Sequence, residues 1–195
     1  MDNLKCVSPI DGRYMQKTSE LNKYFSEFAY QYYRIFVEIE YLIFYTKKKI
    51  FNILESDFEN LRNIYKNFDV CESNKIKEIE KITNHDIKAI EYYIREKCLE
   101  NKITFNYEYI HFGLTSQDIN SVSNSLRLKN SVSGTIVYNL SILLSKIKEL
   151  GSTYINIPML SRTHGQTASP TLLGKEIYVF YERLYNQFES LNNLK

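Results

Sequence analysis

The chain has 195 residues, of which 44% are hydrophobic and 25% charged, and its formal net charge is +2. These values are ordinary for a globular protein, and the length suffices for one large domain or parts of two. The small net charge gives no indication of a nucleic-acid or membrane surface, and no apolar run approaches the roughly 20 residues of a membrane span. Residues 1–6 contain no apolar signal-peptide core. Three cysteines without CxxC spacing are typical of reduced thiols in a cytoplasmic protein.

Apolar residues recur at intervals of three and four along most of the chain, which predicts packed helices. The stripe from Leu21 to Leu42 predicts a helix of about six turns. Ser56 with Glu59 predicts a capping box that opens a second helix through Phe68. Ile76, Ile79 and Ile82 indicate a third, short helix.

Before the first helix, Pro9 and Asp11-Gly12 predict a turn, and Arg13-Tyr14 follow it directly. An arginine beside a turn glycine could grip a phosphate or carboxylate with two hydrogen bonds. The alternative is a surface arginine that lies over the first helix.

Residues 83–86, Thr-Asn-His-Asp, precede a helix marked by Ile87, Ile90 and Ile94. We expect Thr83 to cap this helix, with Asp86 at the third helical position. His85 would then lie at a helix N-terminus, where it could donate to a bound anion. A zinc site is not indicated, because no second ligand lies three or four residues away.

After a connector over residues 100–110, Thr115 and Asp118 form another cap signature and open a helix. The adjacent hydroxyls of Thr115 and Ser116 suit a carboxylate or phosphate, although a cap alone also explains them. We interpret His111, which precedes this turn among apolar residues, as a structural histidine.

Two further helices are predicted in the last third of the chain. One is marked by Ile136 to Leu150 and is stopped by Gly151. The other starts at Pro170, and its apolar pattern continues to Lys195 without a stop signal, which suggests a truncated chain. We find no strand alternation, no repeat of fixed period, and neither a GxGxxG motif nor a P-loop.

His164 lies in the polar segment between these helices. Histidine can give and take a proton near neutral pH, and Gly165 permits close approach of a backbone. Ser169-Pro170 suggests an N-cap and first helical residue, so His164 is expected just before a helix start. A capped interhelical loop with an incidental histidine is the alternative. Polar loops open four of the predicted helices, at Arg13-Tyr14, residues 84–86, Thr115-Ser116 and His164. Together they suggest an anionic substrate and acid–base chemistry in an all-α protein.

The same segments carry a resemblance to a known family. The matching stretches are residues 8–14 (SPIDGRY), 83–89 (TNHDIKA), 111–120 (HFGLTSQDIN) and 161–166 (SRTHGQ). In order and spacing they resemble the adenylosuccinate lyase family, bacterial-type branch, within the fumarase/aspartase superfamily. The likeness extends from about residue 6 to residue 195.

The resemblance implies an all-α fold of an N-terminal helical domain, residues 1–108, and the first long helices of a central bundle, residues 109–195. It implies β-elimination of fumarate from adenylosuccinate, giving AMP, and from the succinyl-aminoimidazole carboxamide ribotide. The family needs no metal or organic cofactor. Its members are cytoplasmic homotetramers whose sites draw on three subunits, without a nucleic-acid or membrane partner.

The resemblance also assigns roles to individual residues. His164 is expected to be the general acid that protonates the departing nitrogen, with His85 assisting near the substrate phosphate. The residues expected to bind substrate are Arg13 and Tyr14 for the nucleotide, Asn84, His85 and Asp86 along the site, and Thr115 and Ser116 for the succinyl or fumarate carboxylate.

One departure from the family pattern concerns the catalytic base, a serine on a mobile loop for which this chain has no matching stretch. We therefore expect residues 1–195 to be the N-terminal part of a longer lyase, inactive alone. Two other interpretations stay open. One is a sister lyase for argininosuccinate, fumarate or aspartate; the other is a non-catalytic helical assembly module derived from a lyase.

Overall fold

The computed structural model describes residues 5–194. Residues 1–4, which belong to the segment predicted to have no signal-peptide core, lie outside this range. So does Lys195, where the predicted apolar pattern of the last helix ends. Within it, most residues are helical, and the predicted all-α class is confirmed apart from one small antiparallel sheet. The α-helices are α1 Met15–Thr18, α2 Asn22–Phe25, α3 Glu27–Lys47, α4 Phe58–Lys66, α5 Val70–Thr83, α6 Asp86–Glu100, α7 Ser116–Ser131, α8 Val137–Thr153 and α9 Leu173–Asn192.

Shorter elements join these helices. Single turns of 3₁₀-helix lie at Ser19–Leu21, Glu55–Asp57 and Tyr107–Tyr109, and a π-helical segment, Val132–Ile136, directly follows α7. The two strands are β1 Pro158–Thr163 and β2 Gln166–Leu172. The chain forms two compact units, one up to Leu128 and one from Lys129 onward. The proposed domain boundary at residues 108/109 stays a prediction.

The first unit is built around α3, whose apolar face is fully buried. Because α3 is long and apolar at intervals of three and four, it packs against α4, α5 and α6. Burial of one isoleucine or leucine side chain stabilises the fold by about 1.5–3 kcal/mol. The fully buried aliphatic side chains include Ile35, Ile39, Leu42, Leu61, Ile76, Ile90 and Ile94.

Two predicted helix starts in this unit are wrong. The long helix begins at Glu27, after Ser26, because the extended backbone of Ser26 lets its Oγ accept from Ala29 N–H and cap the helix. Ser56 is no N-cap, since it lies in a 3₁₀ turn and α4 begins at Phe58 without a side-chain cap.

The second unit contains α8, α9 and the hairpin formed by β1 and β2. The predicted stop of α8 at Gly151 is wrong: Gly151 is buried inside the helix, and the ring of Tyr178 occupies the space that a side chain would need. The prediction that no strand is present is also wrong. Arg162 pairs with Thr167 and Thr163 with Gln166, which leaves His164-Gly165 as a two-residue turn.

Within residues 5–194, no helix combines the length and the apolar content that crossing a bilayer requires.

Candidate functional site

His85 caps α6 and thereby fixes the orientation of its own ring. Its backbone is extended, and its Nδ1 accepts a 3.1 Å hydrogen bond from Lys88 N–H. A neutral imidazole that accepts at Nδ1 holds its proton on Nε2. The ring is about half exposed, so His85 presents an N–H donor to solvent at a helix start. The prediction that Thr83 caps this helix is wrong, because Thr83 Oγ1 instead bonds the backbone of His85.

At the start of α7, the half of the second predicted cap that Asp118 contributes is formed. Asp118 Oδ2 accepts from Thr115 N–H at 2.7 Å and from Thr115 Oγ1 at 3.0 Å. These hydrogen bonds hold the pKa of Asp118 below its usual range. The Thr115 hydroxyl is therefore engaged within its own turn. The neighbouring Ser116 Oγ lies 3.5 Å from His85 Nε2 instead.

The structure thus brings two of the predicted loops together. His85 and Ser116 are 31 residues apart in sequence, and their polar atoms face one another at the starts of α6 and α7. An N–H donor and a hydroxyl at two helix N-termini are suited to an anionic group such as a carboxylate or phosphate.

Asp86 and Asn84 have structural roles that the sequence did not indicate. Asp86 Oδ2 accepts a 2.7 Å hydrogen bond from Arg34 Nη2. Burial raises the pKa of Asp86, but the Arg34 charge and the Ile87 N–H outweigh it and keep that pKa low. Asn84 adopts a left-handed conformation, φ 49°, and ends α5 by donating its N–H to Glu80 O.

Sequence reasoning missed Arg34 and Glu38, which lie on the buried α3 yet reach the candidate site. Arg34 also donates to Asn120 Oδ1, through Nε at 3.0 Å and Nη2 at 2.9 Å. Glu38 accepts from His111 Nδ1, in agreement with the structural role expected for His111. A charged residue inside an apolar helical stripe was the available signal, because buried charges are paired.

The other predicted site residues are placed as follows. Arg13 and Tyr14 lie in the N-terminal turn of the first unit, both exposed, with the Arg13 guanidinium 5.6 Å from the centre of the Tyr14 ring. His164 lies in the second unit, at the exposed tip of the hairpin.

The expectation that His164 immediately precedes a helix is wrong. Ser169 and Pro170 belong to β2, and α9 begins at Leu173. His164 and Gly165 have φ values of 50° and 77°, so both central residues of the turn have the positive φ that a type I′ hairpin requires. The imidazole is consequently held at the tip of a two-stranded projection. Among the described residues, no cluster of three or more His, Cys, Asp or Glu side chains is arranged to hold a metal ion.

Comparison with known proteins identifies relatives of this chain by sequence. The chain is 45% identical to an adenylosuccinate lyase of Dictyostelium discoideum, over 98% of the chain and 43% of that protein. Against adenylosuccinate lyases of Legionella pneumophila (strain Corby) and Haemophilus influenzae, identity is 41% and 39%, with 93% and 99% of the chain and 41% and 43% of those proteins aligned. The chain therefore spans less than half the length of the curated relatives it matches.

Solved structures share the fold. A β-carboxy-cis,cis-muconate cycloisomerase from Acinetobacter calcoaceticus superposes with a TM-score of 0.69 at 18% identity, over 91% of this chain and 40% of that one. A fumarate lyase from Mesorhizobium gives 0.71 at 18% identity, over 91% and 39%. A family model described as lyase matches residues 12–195. Since this match covers far more than half of the residues of the chain, the chain belongs to that lyase family.

Proposed function

We propose that this chain provides the N-terminal share of an adenylosuccinate lyase. Such an enzyme eliminates fumarate from adenylosuccinate to give AMP, and from the succinyl-aminoimidazole carboxamide ribotide in purine nucleotide biosynthesis. The observation that carries the proposal is the 36–45% identity to curated adenylosuccinate lyases over 93–100% of the chain. The facing His85 and Ser116 at two helix starts support it, since every substrate of this reaction is anionic.

In the proposed reaction, a base removes the proton β to the leaving nitrogen, and charge accumulates on the neighbouring carboxylate. Hydrogen-bond donors aimed at that carboxylate stabilise the transition state. Ser116 is proposed to donate to it. Thr115, whose hydroxyl bonds Asp118, contributes mainly by shaping the turn. His85 presents its Nε2 proton towards the substrate phosphate, with Asn84 and Asp86 along the site and Arg13 and Tyr14 at the nucleotide.

His164 is proposed as the general acid that protonates the leaving nitrogen. Its place at an exposed hairpin tip supports this role, because a side chain there can enter a site formed with other chain segments. The catalytic base is proposed to lie in a part of the enzyme that these residues do not supply. We further propose a homotetramer with shared sites, located in the cytoplasm as the unpaired thiols of Cys6, Cys71 and Cys98 suggest.

The test is adenylosuccinate cleavage, followed by ultraviolet absorbance. The chain is assayed alone and after co-expression with the C-terminal part of the Dictyostelium relative that it does not match. We expect activity only in the combination. His164→Asn should lower kcat by about 100- to 10,000-fold, because a general acid contributes that much. Asparagine tolerates a positive φ, so the hairpin turn is retained.

The matched control is Lys102→Asn, which places asparagine at another position of positive φ, 57°, and should leave kcat unchanged. An assembled but inactive combination would favour the non-catalytic assembly module. If argininosuccinate protected the chain against unfolding and AMP did not, the sister-lyase interpretation would be favoured.

A further inference from the structure

Helix α3 directs three polar side chains at the segments that bear the candidate site. Arg34, Glu38 and Tyr41 are spaced by four and three residues, so they lie along one face of the helix. Glu38 and Tyr41 hold the turn before α7: Glu38 bonds His111, and Tyr41 donates its hydroxyl proton to Phe112 O at 2.6 Å. These three polar side chains thus face the turns that bear the candidate site residues.

Arg34 connects the two helix starts at which His85 and Ser116 lie. Its Nη2 bonds Asp86, the residue directly after His85, and its Nε and Nη2 bond Asn120, four residues after Ser116 on the same face of α7. The Arg34 side chain is only 6% exposed. One guanidinium therefore links the beginning of α6 to the first turns of α7.

The planar guanidinium is necessary for this link. Its fork donates to two acceptors in fixed directions, whereas a lysine ammonium is a point charge on a flexible stem. The centre of the Tyr30 ring lies 3.9 Å from the guanidinium carbon of Arg34, and the ring restricts the plane in which the fork lies.

We propose that Arg34 is a positioning residue that sets the separation of His85 and Ser116 by tying Asp86 to Asn120. Asp86 then acts through Arg34, and its carboxylate orients the site instead of contacting the substrate. The kinetic consequence of this inference rests on the proposed lyase function. The geometric consequence does not.

Imidazole NMR of the whole chain tests the geometry, and its three histidines make assignment direct. Arg34→Lys should shift the ring resonances of His85, because the start of α6 is released from α7. The control is Arg62→Lys on α4, which weakens the pair that Arg62 forms with Glu40 of α3 through two hydrogen bonds. It should leave the His85 signals in place. Unchanged signals in Arg34→Lys would overturn the proposal.

A second pair of variants tests the α7 side without altering the buried arginine. Asn120→Asp keeps an oxygen acceptor for Arg34 and should preserve the His85 signals, whereas Asn120→Leu removes the acceptor and should shift them. Equal spectra from the two variants would contradict the link.

Kinetics of the combination with the C-terminal part separate the two proposals. We expect Arg34→Lys to lower kcat/KM by about 100-fold, since misplacing a binding group by about 1 Å has that effect, while Arg62→Lys retains activity. If the wild-type combination is inactive, the proposed function fails and the NMR result alone decides the role of Arg34. If it is active and Arg34→Lys matches Arg62→Lys, the inference fails.

Discussion

Glu38 and His111 form a buried pair that fastens the turn before α7 to α3. The Glu38 side chain is fully buried, and its Oε2 has no hydrogen-bond partner among residues 5–194. Burial raises the pKa of Glu38, and its hydrogen bond with His111 opposes that rise. The same hydrogen bond raises the pKa of His111 and outweighs burial, which lowers it; the charge of Glu91 adds slightly to the rise and that of Lys88 slightly opposes it. A charged imidazole is therefore favoured in the folded protein.

The pair predicts a pH dependence of stability. Because the folded pKa of His111 exceeds its unfolded value of about 6.5, its stabilisation is present below that value and is lost as pH rises through the folded pKa. His111→Gln should therefore cost about 1–3 kcal/mol at pH 6 and less at pH 9. Urea unfolding at both pH values measures this. With Glu38→Gln as background, the pH dependence should shrink, and an equal deficit at both pH values would exclude the ion pair.

A second ionic cluster predicts the opposite pH response. Glu72 accepts hydrogen bonds from Lys75 at 2.8 Å and Tyr93 at 2.9 Å, and pairs with Lys97 at 2.9 Å. Burial raises the pKa of Glu72, but these three partners outweigh it and hold the pKa at about 2. The resulting stability is present above the unfolded pKa of about 4.3 and is lost as pH falls towards 2.

We expect Glu72→Gln to lower the free energy of unfolding by about 1–2 kcal/mol at pH 7 and to have almost no effect near pH 2. Glu78→Gln on the same helix is the control. Its exposed pair with Lys81 should contribute less than about 0.5 kcal/mol. Chemical denaturation across the pH range compares the two variants, and similar effects at pH 7 would contradict the assignment.

Among the elements, α8 and α9 approach each other through two glycines. A Cβ on Gly174 would lie 2.3 Å from Gly151 O and 2.5 Å from Ile155 Cα, both backbone atoms. A Cβ on Gly151 would instead meet the Tyr178 ring at 2.8 Å. A ring can turn aside more easily than a backbone, so the two positions should differ in tolerance.

Gly174→Ala should destabilise the second unit by about 3 kcal/mol, because the overpacked methyl has to displace backbone. Gly151→Ala should cost less. Lys175→Ala, at the neighbouring exposed position of α9, is expected to be within about 0.5 kcal/mol of wild type. Thermal unfolding monitored by circular dichroism ranks the three. Equal melting temperatures for Gly174→Ala and Lys175→Ala would show that the helices can separate at little cost.

For the whole molecule, the distribution of buried residues differs between the two units. The first has a broad apolar core, whereas large apolar side chains of α8 and α9 remain exposed, including Tyr138, Ile142 and Phe180 at 64%, 51% and 65%. Exposed apolar groups on successive helices favour association. This distribution fits the proposed homotetramer.

We expect the purified chain to self-associate in sedimentation velocity experiments. Ile142→Glu combined with Phe180→Glu should shift the distribution towards monomer, because charges resist burial at an interface. Ile82→Glu changes an exposed apolar residue of α5 in the first unit and should leave the distribution unchanged. A wild-type chain that stays monomeric at all accessible concentrations would argue against assembly through these helices.

The sequence by itself determined where most helices lie, which faces they bury and which turns bear polar chemistry. Apolar spacing and cap residues are local properties, so α5, α6 and the Thr115–Asp118 cap could be predicted from adjacent residues. Tertiary structure decided the partners of the buried charges: Arg34 reaches residues 52 and 86 positions away, and Glu38 one 73 positions away. It also decided the hairpin, because its exposed strands lack apolar alternation and the His164-Gly165 turn depends on a backbone conformation that composition does not reveal. Long-range pairing depends on how helices cross, and no local pattern encodes that.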